Sequence, residues 1–274
     1  MKLSLKDREV TGLTYRQNGK EHFLQARREI ILCGGVINSP QLLQLSGIGD
    51  PIHLKNIGVE VGYALPGVGK NLRDHFATRF TYKVKNVKTF NERTRGLAFV
   101  NEAVKWALGK PSVLSLPATA CYAFAKSSPV IETSDLQITF MPASYKEGVQ
   151  SELDVRPGMT MAAWQQRPES KGYVRARSSD PFQAPEIQPN YLSSRIDQDV
   201  FLAGLRLIRQ LVSTEYMQPF CDQETYPGLD VTSDEDLLNT ARARGTTAFH
   251  MIGTCRMGPK NDASSVVDET LRVK

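Results

Sequence analysis

Several motifs that often identify a function are missing from this 274-residue sequence. It contains no G-x-G-x-x-G dinucleotide loop, no G-x-S-x-G nucleophile motif and no H-E-x-x-H zinc motif. The remaining histidines and carboxylates show no metal-ligand spacing, so we expect no metal site. These absences leave a serine hydrolase without a nucleophile and a zinc hydrolase without ligands.

Cysteine is scarce, and its spacing excludes two kinds of structural site. The sequence has four cysteines and no C-x-x-C pair, which argues against a zinc cage and against a disulfide framework. We expect buried free thiols, which suit a reducing compartment, although one or two bridges in an exported relative remain open. The four are Cys33, Cys121, Cys221 and Cys255.

Long apolar runs are absent as well. No segment approaches the roughly 18 consecutive apolar residues that span a bilayer, and the opening MKLSLKDREV lacks the apolar core of a signal peptide. We therefore expect a soluble protein without a transmembrane segment, either cytoplasmic or membrane-peripheral.

The charge is mildly basic, with 34 Lys and Arg against 29 Asp and Glu, a net charge of +5. Because the basic residues are spread along the chain and form no long block, we predict neither nucleic acid nor an anionic membrane as a partner.

The first part of the chain reads as a hairpin followed by a glycine turn and helices. Asn18-Gly19 predicts a two-residue turn with positive φ, and the apolar run Ile30 to Cys33 predicts the buried end of the second strand. Gly34 and Gly35 would let the backbone turn sharply, and Ser39 followed by Pro40 predicts the start of a short helix. A second short helix follows, with Asp50 as N-cap, Pro51 at the first helical position and Gly58 at the end.

After about Phe76, strand and helix patterns alternate in a longer region. A helix is predicted from the Ser193-Ser194 cap, with Phe201, Leu205, Ile208 and Val212 on one face. Another begins at Ser233 and ends at Gly245. Strands are predicted at TRFTYKVK, DLQITFMPA, MTMAAWQQ and GYVRARSSDP, with a short helix at EAVKWALG. The predicted fold class is α/β plus α+β.

One of the four histidines lies in a distinctive setting. His250 stands between Phe249 and Met251 and is followed by Gly253-Thr254, which predicts an imidazole on an apolar wall beside a tight backbone turn. Such a wall favours the neutral imidazole that a general base needs, but spacing alone also allows, and more often indicates, a hydrogen-bonded core histidine. We expect His22 and His53 at the surface, while His75 could be structural or functional.

Three stretches resemble a known family in a fixed order. They are REIILCGGVINSPQLLQLSGIGD, IGVEVGYALPGVGKNLRDH, and FHMIGTCRMG followed by SVVDETLRV, with RPESKGYVRARSSDPFQAPEIQPNYL between the last two. Together they resemble the glucose-methanol-choline (GMC) family of FAD-dependent oxidoreductases, and look closest to its choline dehydrogenase-like branch. The likeness covers nearly the whole chain.

The resemblance implies a cofactor, a reaction and a set of site residues. It implies FAD as cofactor, and oxidation of a small-molecule alcohol to an aldehyde or ketone by hydride transfer to the flavin. His250 matches the catalytic histidine, which acts as base on the alcohol or holds the alkoxide. Gly34 and Gly35 match the close approach to the cofactor, and Gly253 and Thr254 match the backbone beside the flavin. The alcohol and the electron acceptor are not implied.

The resemblance also implies a division into domains. Residues 1–78 would be a remnant of an FAD-binding Rossmann-like domain, 79–245 a substrate domain built on an antiparallel sheet and helices, and 246–274 a return segment carrying His250. Asn71 and Asp74 fall in the loop joining the domains, and Val36 replaces a small residue. Because the dinucleotide fingerprint and a later family segment are missing, an inactive truncated fragment with no independent catalysis stays an alternative.

Overall fold

A computed structural model of the protein describes residues 2–146 and 152–274. The helices in chain order are α1 (Gly35–Leu45), α2 (Pro51–Asn56), α3 (Phe90–Arg93), α4 (Gly96–Ala107), α5 (Arg195–Val212) and α6 (Asp234–Arg244). The strands are β1 (Lys2–Lys6), β2 (Glu9–Gln17), β3 (Lys20–Gln25), β4 (Ile48–Gly49), β5 (Tyr63–Ala64), β6 (Lys70–Leu72), β7 (Phe76–Val84), β8 (Cys121–Ala125), β9 (Leu136–Met141), β10 (Gly158–Gln165), β11 (Gly172–Arg175), β12 (Glu186–Gln188), β13 (Cys221–Tyr226) and β14 (Thr246–Thr247).

The described residues form two compact units. The first contains the chain up to Asp74, Glu169–Ser193 and Phe249–Lys274, and the second contains His75–Pro168 and Ser194–Ala248. Residues 169–193, which the sequence analysis assigned to the substrate domain, therefore belong to the first unit. The reason is pairing: β11 pairs antiparallel with β6, a strand of the first unit outside residues 169–193.

The first unit combines small sheets with two helices. β1, β2 and β3 form an antiparallel sheet, and β4 and β5 form a parallel pair with α2 between them in the chain. The Asn18-Gly19 turn is confirmed, since both residues have positive φ between β2 and β3. The core consists of the buried side chains Leu3, Leu43, Ile48, Leu65, Val68 and Val266.

Two sequence predictions in the first unit were wrong. β3 ends at Gln25, so Ile30 to Cys33 is not a strand, and Ile31 is 75% exposed. A strand needs a neighbour for its backbone groups, and no described strand pairs with this run. Helix α1 also begins at Gly35 instead of after Ser39, which puts Pro40 inside the helix.

The second unit is built on one antiparallel sheet of six strands. Its order is β13-β7-β10-β9-β8, and β14 pairs with the free end of β7. Helix α5 packs on β10 and β9, where Gly204 permits close approach because a Cβ there would lie 2.6 Å from Leu136. Phe201, Leu205 and Ile208 of α5 are buried as predicted, while Val212 is partly buried.

Local signals elsewhere in the second unit are confirmed. Ser233 caps α6 by accepting the N–H of Asp236, and Gly245 follows the last residue of that helix. The four predicted strand segments and the short helix at EAVKWALG all occur, with the last strand, β11, belonging to the first unit. The α/β plus α+β class is confirmed.

Candidate functional site

The glycine turn before α1 presents bare backbone. Gly35 has a φ of +70°, and no atom lies within 4 Å of the position that a Cβ would take. Gly34 occupies the N-cap position of α1, and both glycines are exposed. A ligand can therefore reach the main chain here without meeting a side chain, which suits a group held by backbone donors at a helix start.

Helix α1 leaves one carbonyl for a distant partner. Pro40 has no N–H, so the carbonyl of Val36, four residues earlier, receives no helical hydrogen bond from it. The hydroxyl of Thr254 donates to that carbonyl at 2.6 Å, and Thr254 is buried. Because α1 begins at Gly35 and contains Pro40, the Val36 carbonyl is available to Thr254. This hydrogen bond joins the start of α1 to the segment that carries His250.

The segment around Gly253 is fixed against β6 and the residues after it. Arg73 and Ile252 exchange backbone hydrogen bonds of 3.0 and 2.9 Å, and the N–H of Gly69 donates to the carbonyl of Thr254. Gly253 has a φ of +98°, and a Cβ there would lie 2.1 Å from the carbonyl oxygen of Asn71. Only glycine fits this close approach without displacement of the backbone.

The backbone of His250 is held by a buried carboxylate. Asp74 Oδ1 accepts the His250 N–H at 2.9 Å, and Asp74 Oδ2 accepts the hydroxyl of Tyr191 at 2.5 Å. Asp74 is 5% exposed, and Phe249, just before His250, has a φ of +59° that is unusual for a bulky residue. Tyr191 was missed by the sequence analysis, because no local pattern connects it to residues so far away in the chain.

The predicted apolar enclosure of His250 is not found. The His250 side chain is exposed, and its neighbour Phe249 is 77% exposed. The prediction depended on the apolar residues Phe249 and Met251 on either side of His250, but apolar neighbours along the chain do not bury a side chain unless other segments pack over it. Within the described part of the first unit, the imidazole is therefore accessible to a small molecule.

An open cavity of about 400 Å³ adjoins the glycine turn. Its walls are mainly apolar, and Asn38, Ser39 and the Gly34 backbone supply polar groups. An apolar wall next to bare backbone fits a planar heterocycle with a polar edge, so the residues present fit part of FAD. Side chains at the wall include Leu13, Ile30, Ile31, Leu32, Cys33 and Leu42.

The other three histidines have different surroundings. His22 is exposed, as predicted, whereas His53 is half-buried and its Nε2 is buried with no hydrogen-bond partner among the described residues. Burial, followed by the charge of Arg175, lowers the pKa of His53. The His75 Nε2 lies 2.9 Å from the Gln166 carbonyl oxygen, and its ring stacks on Trp164.

The expectation of buried thiols was wrong for two cysteines. Cys33 and Cys121 are exposed, and Cys221 and Cys255 are partly buried. Cys33 is exposed for the same reason as Ile31, because no described strand covers that run. Trp164 and Gln165 are both buried in β10, and Gln166 is partly buried.

No helix among residues 2–146 and 152–274 is both long and apolar enough to cross a membrane. In the same residues, no group of three or more His, Cys, Asp and Glu side chains is arranged to hold a metal ion.

Comparison with known proteins gives consistent matches. Sequence profiles of GMC oxidoreductases match residues 2–77 and 168–274. The chain is 34% identical to the oxygen-dependent choline dehydrogenase of Staphylococcus xylosus over 99% of its own length and 48% of that protein, and 34% identical to the Staphylococcus aureus (strain MSSA476) protein of the same name over 95% and 46%. It therefore spans about half the length of these curated relatives.

Solved structures share the fold. A formate oxidase variant from Aspergillus oryzae superposes with a TM-score of 0.84 at 24% identity, covering 99% of this chain and 52% of that one. An FAD-dependent oxidoreductase from Chaetomium thermophilum gives a TM-score of 0.84 at 19% identity, with 99% and 53% covered.

Proposed function

The chain belongs to the GMC oxidoreductase family, and from this premise we propose that it forms part of an FAD-dependent enzyme that oxidises an alcohol to an aldehyde or ketone. Relatives named oxygen-dependent choline dehydrogenase support a small-molecule alcohol as substrate. Which alcohol is bound and which acceptor takes the electrons are left open by this proposal.

The observation that carries the proposal is the hydrogen bond from Thr254 to the Val36 carbonyl. It ties the exposed turn at Gly34-Gly35 to the His250–Thr254 segment inside one compact unit. A cofactor site and a proton acceptor must lie in one rigid body for a reaction to have a fixed geometry. The five family-matched positions meet this requirement.

We assign the cofactor contacts to backbone groups. Gly34 and Gly35 would hold FAD through main-chain atoms at the start of α1, and Gly253 and Thr254 would do so from the opposite segment. FAD, when bound, supplies an acceptor for the hydride that leaves the alcohol carbon. The apolar wall beside Gly34 would exclude water from one side of that group.

We assign the role of proton acceptor to His250. A neutral imidazole nitrogen takes the hydroxyl proton of the alcohol, because hydride leaves an alkoxide far more readily than an alcohol. Asp74 holds the His250 backbone and so limits where the ring can reach. The charged imidazolium that results would then stabilise the alkoxide.

The test compares flavin binding and turnover in the purified chain. After incubation with FAD and gel filtration, bound flavin is read from its visible absorbance, and oxidation of an alcohol panel that includes choline is followed with a dye as electron acceptor. His250→Ala should lower turnover by about 10²–10⁴-fold while bound flavin stays unchanged. His22→Ala, an exposed histidine on the β2–β3 hairpin, is the matched control.

Two results would contradict the proposal separately. Equal turnover by His250→Ala and the parent chain removes His250 from the reaction. Failure of the parent chain to retain any FAD removes independent catalysis, and supports the alternative that the 274 residues are inactive by themselves.

A further inference from the structure

His53 belongs to α2, a helix that is fixed at its start and on one face. Asp50 caps the helix by accepting the N–H groups of Ile52 and His53, and its second oxygen accepts a hydrogen bond from the Lys70 ammonium in β6 at 3.0 Å. Leu54, the next residue of the helix, is 0% exposed. These contacts hold the His53 ring against the first unit, where it is half-buried.

The His53 ring is buried at one nitrogen and faces charged groups from two strands. Its Nε2 has no hydrogen-bond partner among the described residues. Burial of the ring, followed by the charge of Arg175 at the end of β11, holds the pKa of His53 below its usual value. Asp50, the Ala176 backbone and Glu186 of β12 act in the opposite direction, with smaller effects. The fold therefore favours the neutral form of this imidazole.

A charged His53 ring would lack an acceptor among the described residues for one of its two N–H groups. The neutral ring with its proton on Nδ1 presents only a lone pair at the buried Nε2, whereas the imidazolium donates from both nitrogens. A buried donor without an acceptor, on a cationic ring that faces Arg175, disfavours the packed arrangement. From this geometry we infer that His53 is an acid-sensitive lock: the neutral ring holds α2 against the end of β11, and its protonation releases the helix.

The segment that the lock holds is also connected to α1. The Ala176 N–H donates to Gln44 Oε1 at 2.7 Å, and Gln44 Nε2 donates to the Val174 carbonyl at 3.1 Å. A Cβ placed at Gly49 would lie 3.5 Å from the side chains of both Gln44 and Leu54, so α1 and α2 meet at this position. Release of α2 should therefore also weaken the hydrogen bond between Ala176 and Gln44. The inference does not depend on the proposed reaction, and it is tested without FAD or an alcohol.

The lock predicts the sign of the pH effect on stability. Because the folded pKa of His53 lies below its ordinary value of 6.5, the unfolded chain binds a proton at this position more readily than the folded chain does. The stability that depends on neutral His53 is therefore present above pH 6.5, and it is lost as the pH falls through the folded pKa. The other histidines also bind protons in acid, so variants at His53 and beside it are needed to isolate this effect.

An NMR titration of the full chain tests the electrostatic part of the inference. The ring signals of His53, identified by their loss in His53→Gln, should titrate below the ordinary value of 6.5. Arg175→Gln removes the nearby cation and should move this titration to higher pH. Lys55→Gln, at an exposed lysine on the same helix, is the matched control and should leave the titration where it is in the parent chain.

Hydrogen exchange measured by NMR tests the release of α2. The Leu54 and Ala176 amides donate to the Asp50 carbonyl and to Gln44 Oε1. From about pH 7.5 to about pH 5, their protection factors should fall about threefold or more, while those of the β2–β3 hairpin change less. In His53→Gln, whose side chain does not bind a proton in this range, the fall should be absent. His22→Gln, at an exposed histidine on the hairpin, is the matched control and should behave like the parent chain.

Three outcomes would overturn the inference. One is a His53→Gln chain that loses protection in α2 at low pH as the parent does. The second is a parent chain in which the His53 ring titrates while the Leu54 and Ala176 amides keep their protection. The third applies if circular dichroism shows that His53→Gln does not fold at neutral pH: Arg175→Gln then decides, and a loss of α2 protection equal to that of the parent contradicts the lock.

Discussion

The Asp74 carboxylate accepts the backbone N–H of His250 at 2.9 Å, across 176 positions of the chain. Its second oxygen accepts the hydroxyl of Tyr191. One buried acidic side chain thus holds two distant segments of the first unit, and it fixes the backbone from which the candidate base projects.

We predict that Asp74→Ala destabilises the protein by about 1–3 kcal/mol, because it removes a buried acceptor shared by two donors. Tyr191→Phe removes one of those bonds and should cost about 0.5–1.5 kcal/mol. Urea denaturation measures both, and hydrogen exchange should show a faster amide at His250 in Asp74→Ala only. An Asp74→Ala amide that exchanges as slowly as the parent would contradict this role.

Gly253→Ala should lower the free energy of unfolding more than a substitution at an ordinary glycine with positive φ. The new Cβ would lie 2.1 Å from the Asn71 carbonyl, whereas Gly58, with a φ of +72°, has nothing within 4 Å of that position. Gly58→Ala should cost about 1–2 kcal/mol from backbone strain alone. Gly253→Ala should cost about 1–3 kcal/mol more, and thermal or urea unfolding compares the two. Equal losses of stability in the two variants would show that the backbone at Asn71 moves aside at no cost in free energy.

The ion pair between Arg209 and Glu224 should contribute far more to the free energy of unfolding than a surface ion pair does. The Glu224 side chain is 1% exposed and also accepts the Tyr82 hydroxyl, while Arg209 donates to the carbonyls of Gly228 and Val231. Glu224→Ala would leave the mostly buried Arg209 guanidinium without its carboxylate partner and should cost about 3 kcal/mol.

The control for that pair is Arg195 with Asp199, whose side chains are 74% and 54% exposed on the same helix, α5. Asp199→Ala should change stability by about 0.5 kcal/mol or less. Denaturation of the two variants side by side provides the measurement. A small loss for Glu224→Ala would mean that water reaches Arg209 after the substitution.

The cysteines should differ in reactivity. Burial raises the pKa of the Cys255 thiol to about 11, so at pH 8 its thiolate should be rare, and alkylation should be at least about tenfold slower than at exposed Cys33 and Cys121. Peptide mass spectrometry after brief iodoacetamide treatment gives the order of labelling. In denaturant the differences should vanish, and fast Cys255 labelling in the native state would contradict its burial.

The raised pKa of Cys255 also makes the stability of the fold depend on pH. Because the folded pKa of Cys255 lies above the ordinary value of 9.0, the buried thiol stabilises the fold below that pH. This contribution is lost as the pH rises toward about 11, so Cys255→Ala should flatten the alkaline part of the stability curve.

Local sequence signals determined much of the secondary structure. The Asn18-Gly19 turn, the Asp50 cap of α2 and the Ser233 cap of α6 all depend on hydrogen bonds or φ angles within a few residues. The amphipathic spacing in α5 also predicted which of its side chains are buried. These features need no knowledge of the rest of the chain.

Tertiary structure alone decided the features on which function depends. Ile30 to Cys33 carries a strand pattern but has no described neighbour to pair with. The joining of Thr254 to Val36 spans 218 positions, and that of His250 to Asp74 spans 176. Periodicity reports a residue's neighbours along the chain, whereas these contacts depend on how separate segments pack.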